Sequence, residues 1–229
     1  MIGIIGAMQL ETQTICEKMT DVKTETVSGT EYVVGKLWGK DAVVATCGPG
    51  KVFAALAAQT MILRYNVQCV VNVGVAGTLS PDLHIGDLAI ATATVQHDMD
   101  TSGLGDPVGL VSKINVTYFR CDLGLIKACQ QAAEKAKLRY LKGVIATGDQ
   151  FISAQAKKSA IVEQFDAIAC EMEGGAIGHT CYVNGVPYLV IRAISDEADG
   201  SADVDFFQFA THSAQNTVAI LREMVPNIG

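Results

Sequence analysis

Short apolar runs, rich in β-branched residues, alternate along this chain with longer stretches in which apolar and polar positions recur at helical spacing. The pattern predicts strands over 2–5, 31–38, 42–46, 69–73, 87–95, 143–147, 167–170 and 188–194, and helices over 51–65, 122–138, 154–165, 174–184 and 206–225. On the first of these helices Val52, Leu56, Met61 and Leu63 make a broad apolar surface, and Asn66 follows its end. Asp122 is placed to cap the next one, whose Lys127, Lys135 and Lys137 fall on its wet side. Runs such as Cys69-Val70-Val71-Asn72-Val73 are apolar on both faces, which calls for a sheet covered on both sides by helices. There is no linker, repeat or low-complexity run, so residues 1–229 read as one α/β domain. Two loops, 98–109 and 197–205, are candidates to move over a site.

Composition narrows the class. Seventeen Lys and Arg against 24 Asp and Glu give a charge of −7, which excludes the electrostatic footprint of a nucleic-acid or membrane-surface binder. Apolar types reach 49% and charged types only 18%, so a large core is available. No stretch approaches the ~18 consecutive apolar residues of a membrane span, and Met1–Leu10 lacks the basic start and length of a secretory signal. Seven scattered cysteines with no C-x-x-C pair read as reduced thiols in a cytoplasmic protein. Four well-separated histidines make a metal cluster unlikely; His97-Asp98-Met99-Asp100 has no second histidine nearby, and no metal is expected.

In open α/β sheets ligands bind beyond the carboxyl ends of strands. The polar residues that follow the apolar runs are Glu11, Asp149 and Gln150, Glu171 and Glu173, then Arg192, Ser195 and Asp196. Each has an ordinary explanation. Glu11 suits the first turn of a helix, Asp196 suits an N-cap, and Glu171 and Glu173, sharing a face of an extended backbone, suit a buried ion pair with Arg192; for Glu171 that structural role is preferred. Together they are expensive to desolvate without a purpose. Gly3-Ile4-Ile5-Gly6 lacks dinucleotide-binding spacing, and Gly48-Pro49-Gly50-Lys51 lacks the first glycine and the Ser/Thr of a phosphate loop. The latter reads as a turn into the helix at Lys51, with helix amides facing the site. Gly74-Val75-Ala76-Gly77 lets backbone approach a ligand, or a helix pack closely on a strand.

Six motifs occur in order: Gly-Ala-Met-x-x-Glu (6–11), Gly-x-Gly-Lys-Val (48–52), Asn-x-Gly-x-Ala-Gly (72–77), Gly-Asp-x-Phe-Ile (148–152), Glu-Met-Glu (171–173) and Arg-Ala-Ile-Ser-Asp (192–196). In this the chain resembles, over essentially its whole length, the 5′-methylthioadenosine/S-adenosylhomocysteine nucleosidases of the purine/uridine phosphorylase superfamily. The resemblance implies a three-layer α/β/α fold around a mixed, partly barrel-like sheet, a homodimer, adenine nucleosides as substrates and no cofactor. It implies Asp196 as the acid that protonates adenine N7 and Glu11 as the base that activates water. Glu173 would hold the ribose hydroxyls beside Met172, and Arg192 would hold the water and the acids. The Ile152 backbone would read the adenine edge, with Phe151 stacking on the base. Met8 and Phe206 would line the sugar and the 5′ side, Gly77 and Ser195 would belong to the binding site, and Leu104 would lie near the partner subunit's 5′ pocket. Val75 stands where a serine is common in the family, Pro49 where an aliphatic residue is, and Leu104 where some members carry an aromatic; these departures bear on the 5′ substituent.

A nucleoside phosphorylase of the same superfamily is the rival reading. It requires arginines around the first glycine loop and after the Gly-x-Ala-Gly motif, whereas Arg64, Arg120 and Arg139 lie elsewhere in this sequence.

Overall fold

The computed structural model describes residues 1–199 and 202–228, without the side chains of 203, 204, 207 and 208. Among the described residues ten strands form a single mixed sheet: β1 (Ile2–Gly6), β2 (Met19–Val27), β3 (Thr30–Leu37), β4 (Lys40–Thr46), β5 (Cys69–Thr78), β6 (Leu88–Gln96), β7 (Tyr118–Arg120), β8 (Tyr140–Thr147), β9 (Ala167–Glu171) and β10 (Tyr188–Asp196). The helices among the described residues are α1 (Gln9–Cys16), α2 (Lys51–Tyr65), α3 (Leu123–Ala136), α4 (Gln155–Phe165), α5 (Gly174–Asn184) and α6 (Ala202–Met224). No described helix is long and apolar enough to cross a membrane.

The sheet order is β10-β6-β8-β9-β5-β1-β4-β3-β2, and β10 also pairs with β5. That extra pairing closes β10, β6, β8, β9 and β5 into a five-stranded barrel, from which β1, β4, β3 and β2 extend as an open wing. Helices α2 and α5 pack together on one side, while α1, α3 and α6 pack on the other against β10 and β5. The expected three-layer α/β/α architecture with a partly barrel-like sheet is the one observed. All ten residues of β5 and all nine of β10 are buried, as their two-sided apolar sequence requires.

Several predicted elements differ in extent. Strands β5 and β10 run on through Thr78 and Asp196, so residues read as post-strand loops belong to the strands. Barrel closure accounts for this, because Gly77 pairs with both β10 and β9. Helix α6 starts at Ala202, which shortens the acidic loop read over 197–205; Gly200 and Ser201 lie outside the described residues. Strands β2 and β7 carry no strong apolar pattern and were not expected, and α1, absent from the predicted helices, appears where Glu11 was read as suiting a first helical turn. Asp122 caps α3 as anticipated, its Oδ1 accepting from Leu125 N at 2.9 Å. On α2 the buried face is Ala54, Ala57, Ala58 and Met61, whereas Val52, Leu56 and Leu63 face outward with Phe53.

Candidate active site

A cleft opens at the carboxyl ends of β1, β5, β9 and β10, where the polar residues were expected to gather. Met8, Glu11, Gly77, Phe151, Met172, Glu173, Ser195, Asp196 and Phe206 all line it, joined by Pro49, Val75, Ala76, Cys170 and Glu171. Ile152 borders an adjoining recess with Phe151, Met172 and Asp196. Two named residues do not line it, of which Leu104 was expected near a partner subunit's pocket and not in this one. Arg192 is fully buried behind the wall, and Leu104 stands on a short 3-10 turn, 87% exposed, outside its own chain's cleft.

Glu11 sits at the third position of α1, where its Oε2 accepts from the Ala7 and Met8 N–H groups at 2.7 and 2.9 Å. The first-turn reading therefore holds, yet it is only half of the role. Its Oε1 accepts from Val75 N, 64 residues away, at 3.0 Å. Burial pushes this carboxyl above the ordinary range, opposed by the Arg192 guanidinium and the amides of Met8, Val75 and Ala7.

Arg192 on β10 pairs with Gly74 on β5. A Cβ at Gly74 would collide with Arg192 Nη1 and Glu11 Oε1, so a glycine is what lets both groups lie over the strand, where the guanidinium acts on Glu11 through its charge and not through a hydrogen bond. Arg192 Nη2 donates to Asn72 Oδ1 at 2.7 Å, to Glu171 Oε2, and to Glu173 Oε2 at 3.3 Å. Glu171 also accepts from the Glu173 and Gly174 amides on Oε2 and from the Thr147 hydroxyl on Oε1, so both of its oxygens are engaged within the protein. The preferred reading of Glu171 as the structural partner of Arg192 is what the geometry supports. The two glutamates do not share a strand face: Glu171 ends β9, and Glu173 is the N-cap of α5.

Glu173 Oε1 accepts from Gly50 N at 2.9 Å, so an amide at the start of α2 does face the site. Desolvation, reinforced by Glu171 and opposed by Arg192, pushes Glu173 up to about 7 from an ordinary 4.5. The folded chain therefore binds this proton more tightly than the unfolded one. The stabilisation is fully present below about pH 4.5, and it is lost as pH rises towards 7. That loss is on the order of 3 kcal/mol. The melting temperature should fall across this window, and Glu173→Gln should flatten the fall; a mutant profile parallel to wild type would show the assignment to be wrong.

Asp196 owes its aim to a β-bulge. Ile194 pairs with Ala76 and Asp196 with Gly77, leaving Ser195 as an extra residue that turns the aspartate into the cleft. Its Oδ2 accepts from Ser195 Oγ and its Oδ1 from Ala198 N, both at 2.9 Å. A Cβ on Gly77 would come within 2.6 Å of Oδ1. Burial raises the Asp196 pKa, opposed by the Ser195 and Ala198 hydrogen bonds and assisted by Asp205 and Glu197. Phe151 and Phe206 meet edge to face, ring centroids 5.8 Å apart, as an aromatic border.

Asn72 and Thr147 had no individual role in the sequence reading, although Asn72 lies inside a quoted motif and Thr147 immediately precedes one. Asn72 accepts from Arg192 Nη2 and Thr147 donates to Glu171, while Arg192 Nε and Nη1 have no hydrogen-bond partner among the described residues. Together the lining offers acids held by N–H and O–H donors between apolar walls, and no lysine or arginine among the described lining residues. Such a surface suits proton transfer and stabilisation of a developing cation, and it is unsuited to an anion.

The sequence profile of the phosphorylase superfamily matches residues 1–226. A 5′-methylthioadenosine/S-adenosylhomocysteine nucleosidase of Shewanella halifaxensis is 36% identical over 97% of this chain and 99% of its own. Among solved structures, the Neisseria meningitidis enzyme of the same name, in complex with methylthio-immucillin-A, superposes with a TM-score of 0.96 at 35% identity, covering 99% of each chain. A futalosine hydrolase of Helicobacter pylori superposes at 0.95 with 36% identity, covering 99% of this chain and 97% of the other. Similarity of this extent, over a fold with the same closed sheet, makes the chain a member of the phosphorylase superfamily and, within it, of the 5′-methylthioadenosine/S-adenosylhomocysteine nucleosidases.

Proposed function

We propose that the protein hydrolyses the N-glycosidic bond of 5′-methylthioadenosine and S-adenosylhomocysteine, releasing adenine and the 5-substituted ribose. The observation that carries this reading is the convergence of Glu11, Glu173 and Asp196 on one cleft whose described lining residues include no cation. Adenine leaves poorly as an anion, so the C1′–N9 bond breaks as N7 receives a proton. Asp196, raised by burial, is the donor. The ribosyl fragment becomes oxocarbenium-like, and the surrounding carboxylates stabilise its charge. Glu11, held by the Ala7, Met8 and Val75 amides, takes a proton from the water whose oxygen bonds to C1′, and Arg192 orients Glu173 by a hydrogen bond while its charge favours the ionised form of Glu11.

Glu173 holds the ribose hydroxyls next to Met172, and Phe151 and the Ile152 backbone receive the base. Met8, Phe206, Gly77 and Ser195 shape the remaining wall. Val75 packs with Ala210, Ala214, Met8, Leu10 and Phe206, an apolar surface that fits the 5′-thioether sulfur and its neighbouring carbon. No cofactor or metal is needed for these steps.

Adenine release from methylthioadenosine, unchanged when phosphate is added, is the expected result. A 1-phosphorylated sugar product would instead make the protein a phosphorylase. The kinship with futalosine hydrolase adds 6-amino-6-deoxyfutalosine to the substrates worth ranking by kcat/KM, alongside 5′-deoxyadenosine.

The chain is taken as one nucleosidase domain, and as a homodimer. The outward apolar residues of α2 and α5 support pairing of copies, since Val52, Leu56 and Val183 border one groove, while exposed Leu104 is free to reach a partner's cleft. Sedimentation at the mass of a single chain would refute this. A cytoplasmic location is supported by seven unpaired cysteines, six of them buried.

A further inference from the structure

The segment His97-Asp98-Met99-Asp100 has no part in the reaction, and the N-terminus of α2 has one only through Gly50. Both are joined to the base-binding loop by a closed ring of hydrogen bonds. Lys51 Nζ donates to Asp98 Oδ1 at 2.7 Å; Asp149 N donates to Asp98 Oδ2 at 2.8 Å; and Lys51 N donates to Asp149 Oδ1 at 2.8 Å. The Lys51 and Asp98 side chains are each only 18% exposed, which limits screening of the pair.

The position of this ring matters more than its strength. One residue before Lys51, the Gly50 amide holds Glu173, the acid assigned to the ribose. Two and three residues after Asp149 come Phe151 and Ile152, assigned to the base. Between the end of β8 at Thr147 and the start of α4 at Gln155 the chain is irregular, so the sheet and helix ladders do not fix it. The loop leaves β8 at Gly148, where the His97 ring lies so close that a side chain has no room. The ring then ties Asp149 to the same peptide segment that orients Glu173.

We propose that Lys51, Asp98 and Asp149 are positioning residues that hold the base loop in register with the ribose carboxylate, so that adenine and sugar are gripped at a fixed separation. This rests on the nucleosidase reading above. A ligand that occupies both halves gains from the fixed register, because alignment is established before it binds; a ligand that occupies one half does not.

The test compares methylthioadenosine turnover with binding of adenine alone. Asp98 accepts two donors on two oxygens, and an asparagine offers one acceptor, so Asp98→Asn breaks the ring. Asp149 uses a single side-chain oxygen, so Asp149→Asn preserves it and Asp149→Ala does not. Asp98→Asn and Asp149→Ala should each lower kcat/KM about tenfold, the scale of small misalignment, while adenine affinity stays within about twofold. Asp149→Asn should remain within about threefold of wild type, and the Asp98→Asn/Asp149→Ala double variant should be no worse than either single, because one ring can be broken only once. Lys51→Met opens the same ring from its cationic side and provides a second route if Asp98→Asn folds poorly.

Losses that multiply in the double variant, adenine affinity that falls in step with turnover, or kcat/KM unchanged in all the ring-breaking variants would each overturn the proposal. Failure of the wild-type protein to release adenine would overturn the nucleosidase reading itself, a result distinguishable from unchanged variants of an active enzyme.

Discussion

Asp196→Asn should reduce kcat for adenine release by about 10³, which corresponds to about 4 kcal/mol of transition-state stabilisation. The substitution keeps the shape of the bulge. An asparagine oxygen can still accept from Ala198 N, and its amide can donate to the Ser195 hydroxyl, where the aspartate accepts today. Folding and substrate binding should therefore persist, and the loss should fall on kcat with KM altered by less than about threefold. The pH profile supplies a second readout. The proton-bearing form is the active one, so activity is present below the raised Asp196 pKa and falls tenfold per unit above it; the mutant should lack this alkaline limb. A 5-methylthioriboside with a nitrophenolate leaving group needs no proton on departure, and it should be far less affected. If Asp196→Asn turned over methylthioadenosine within tenfold of wild type, Asp196 would not be the acid.

Glu11→Gln should be comparably severe in rate, between about 10² and 10⁴, for two reasons that can be separated. The first is lost basicity, which acts on turnover. The second is lost acceptor capacity: Glu11 receives three backbone N–H groups on its two oxygens, and a glutamine must turn its amide towards at least one of them. An unsatisfied buried N–H costs about 1–3 kcal/mol, so a lowered melting temperature should accompany the kinetic defect. Glu11→Asp keeps the base but shortens its reach, and it should recover part of the rate where Glu11→Gln recovers none. Near-normal turnover by Glu11→Gln would exclude it as the activator of water.

The five helices and eight strands legible in the sequence are those with an apolar run or a clear helical period. Each missed element lacks that signal for a reason of its own. Strand β2 lies at the edge of the sheet, where the consecutive residues Thr20, Asp21, Val22, Lys23 and Thr24 are exposed, so both faces of this stretch meet solvent and no apolar alternation arises. Strand β7 has three residues, and α1 is held largely by the site it serves, with Glu11 and Thr12 buried in it.

By itself the sequence determined the α/β class, because two-sided apolar strands require helices on both faces. It also determined which acids to watch, because Glu11, Glu173 and Asp196 fall at or near strand ends in a specific order of motifs. Tertiary structure decided how the acids are held and aimed. Glu171 is bound up with Arg192 and Thr147, the bulge at Ser195 aims Asp196, and Gly74 admits Arg192 beside Glu11. Burial on a strand is periodic and local, so it leaves a trace in the order of residues. Hydrogen bonds such as Gly50 to Glu173, across 123 residues, depend on how strands close a barrel, and no local pattern encodes them.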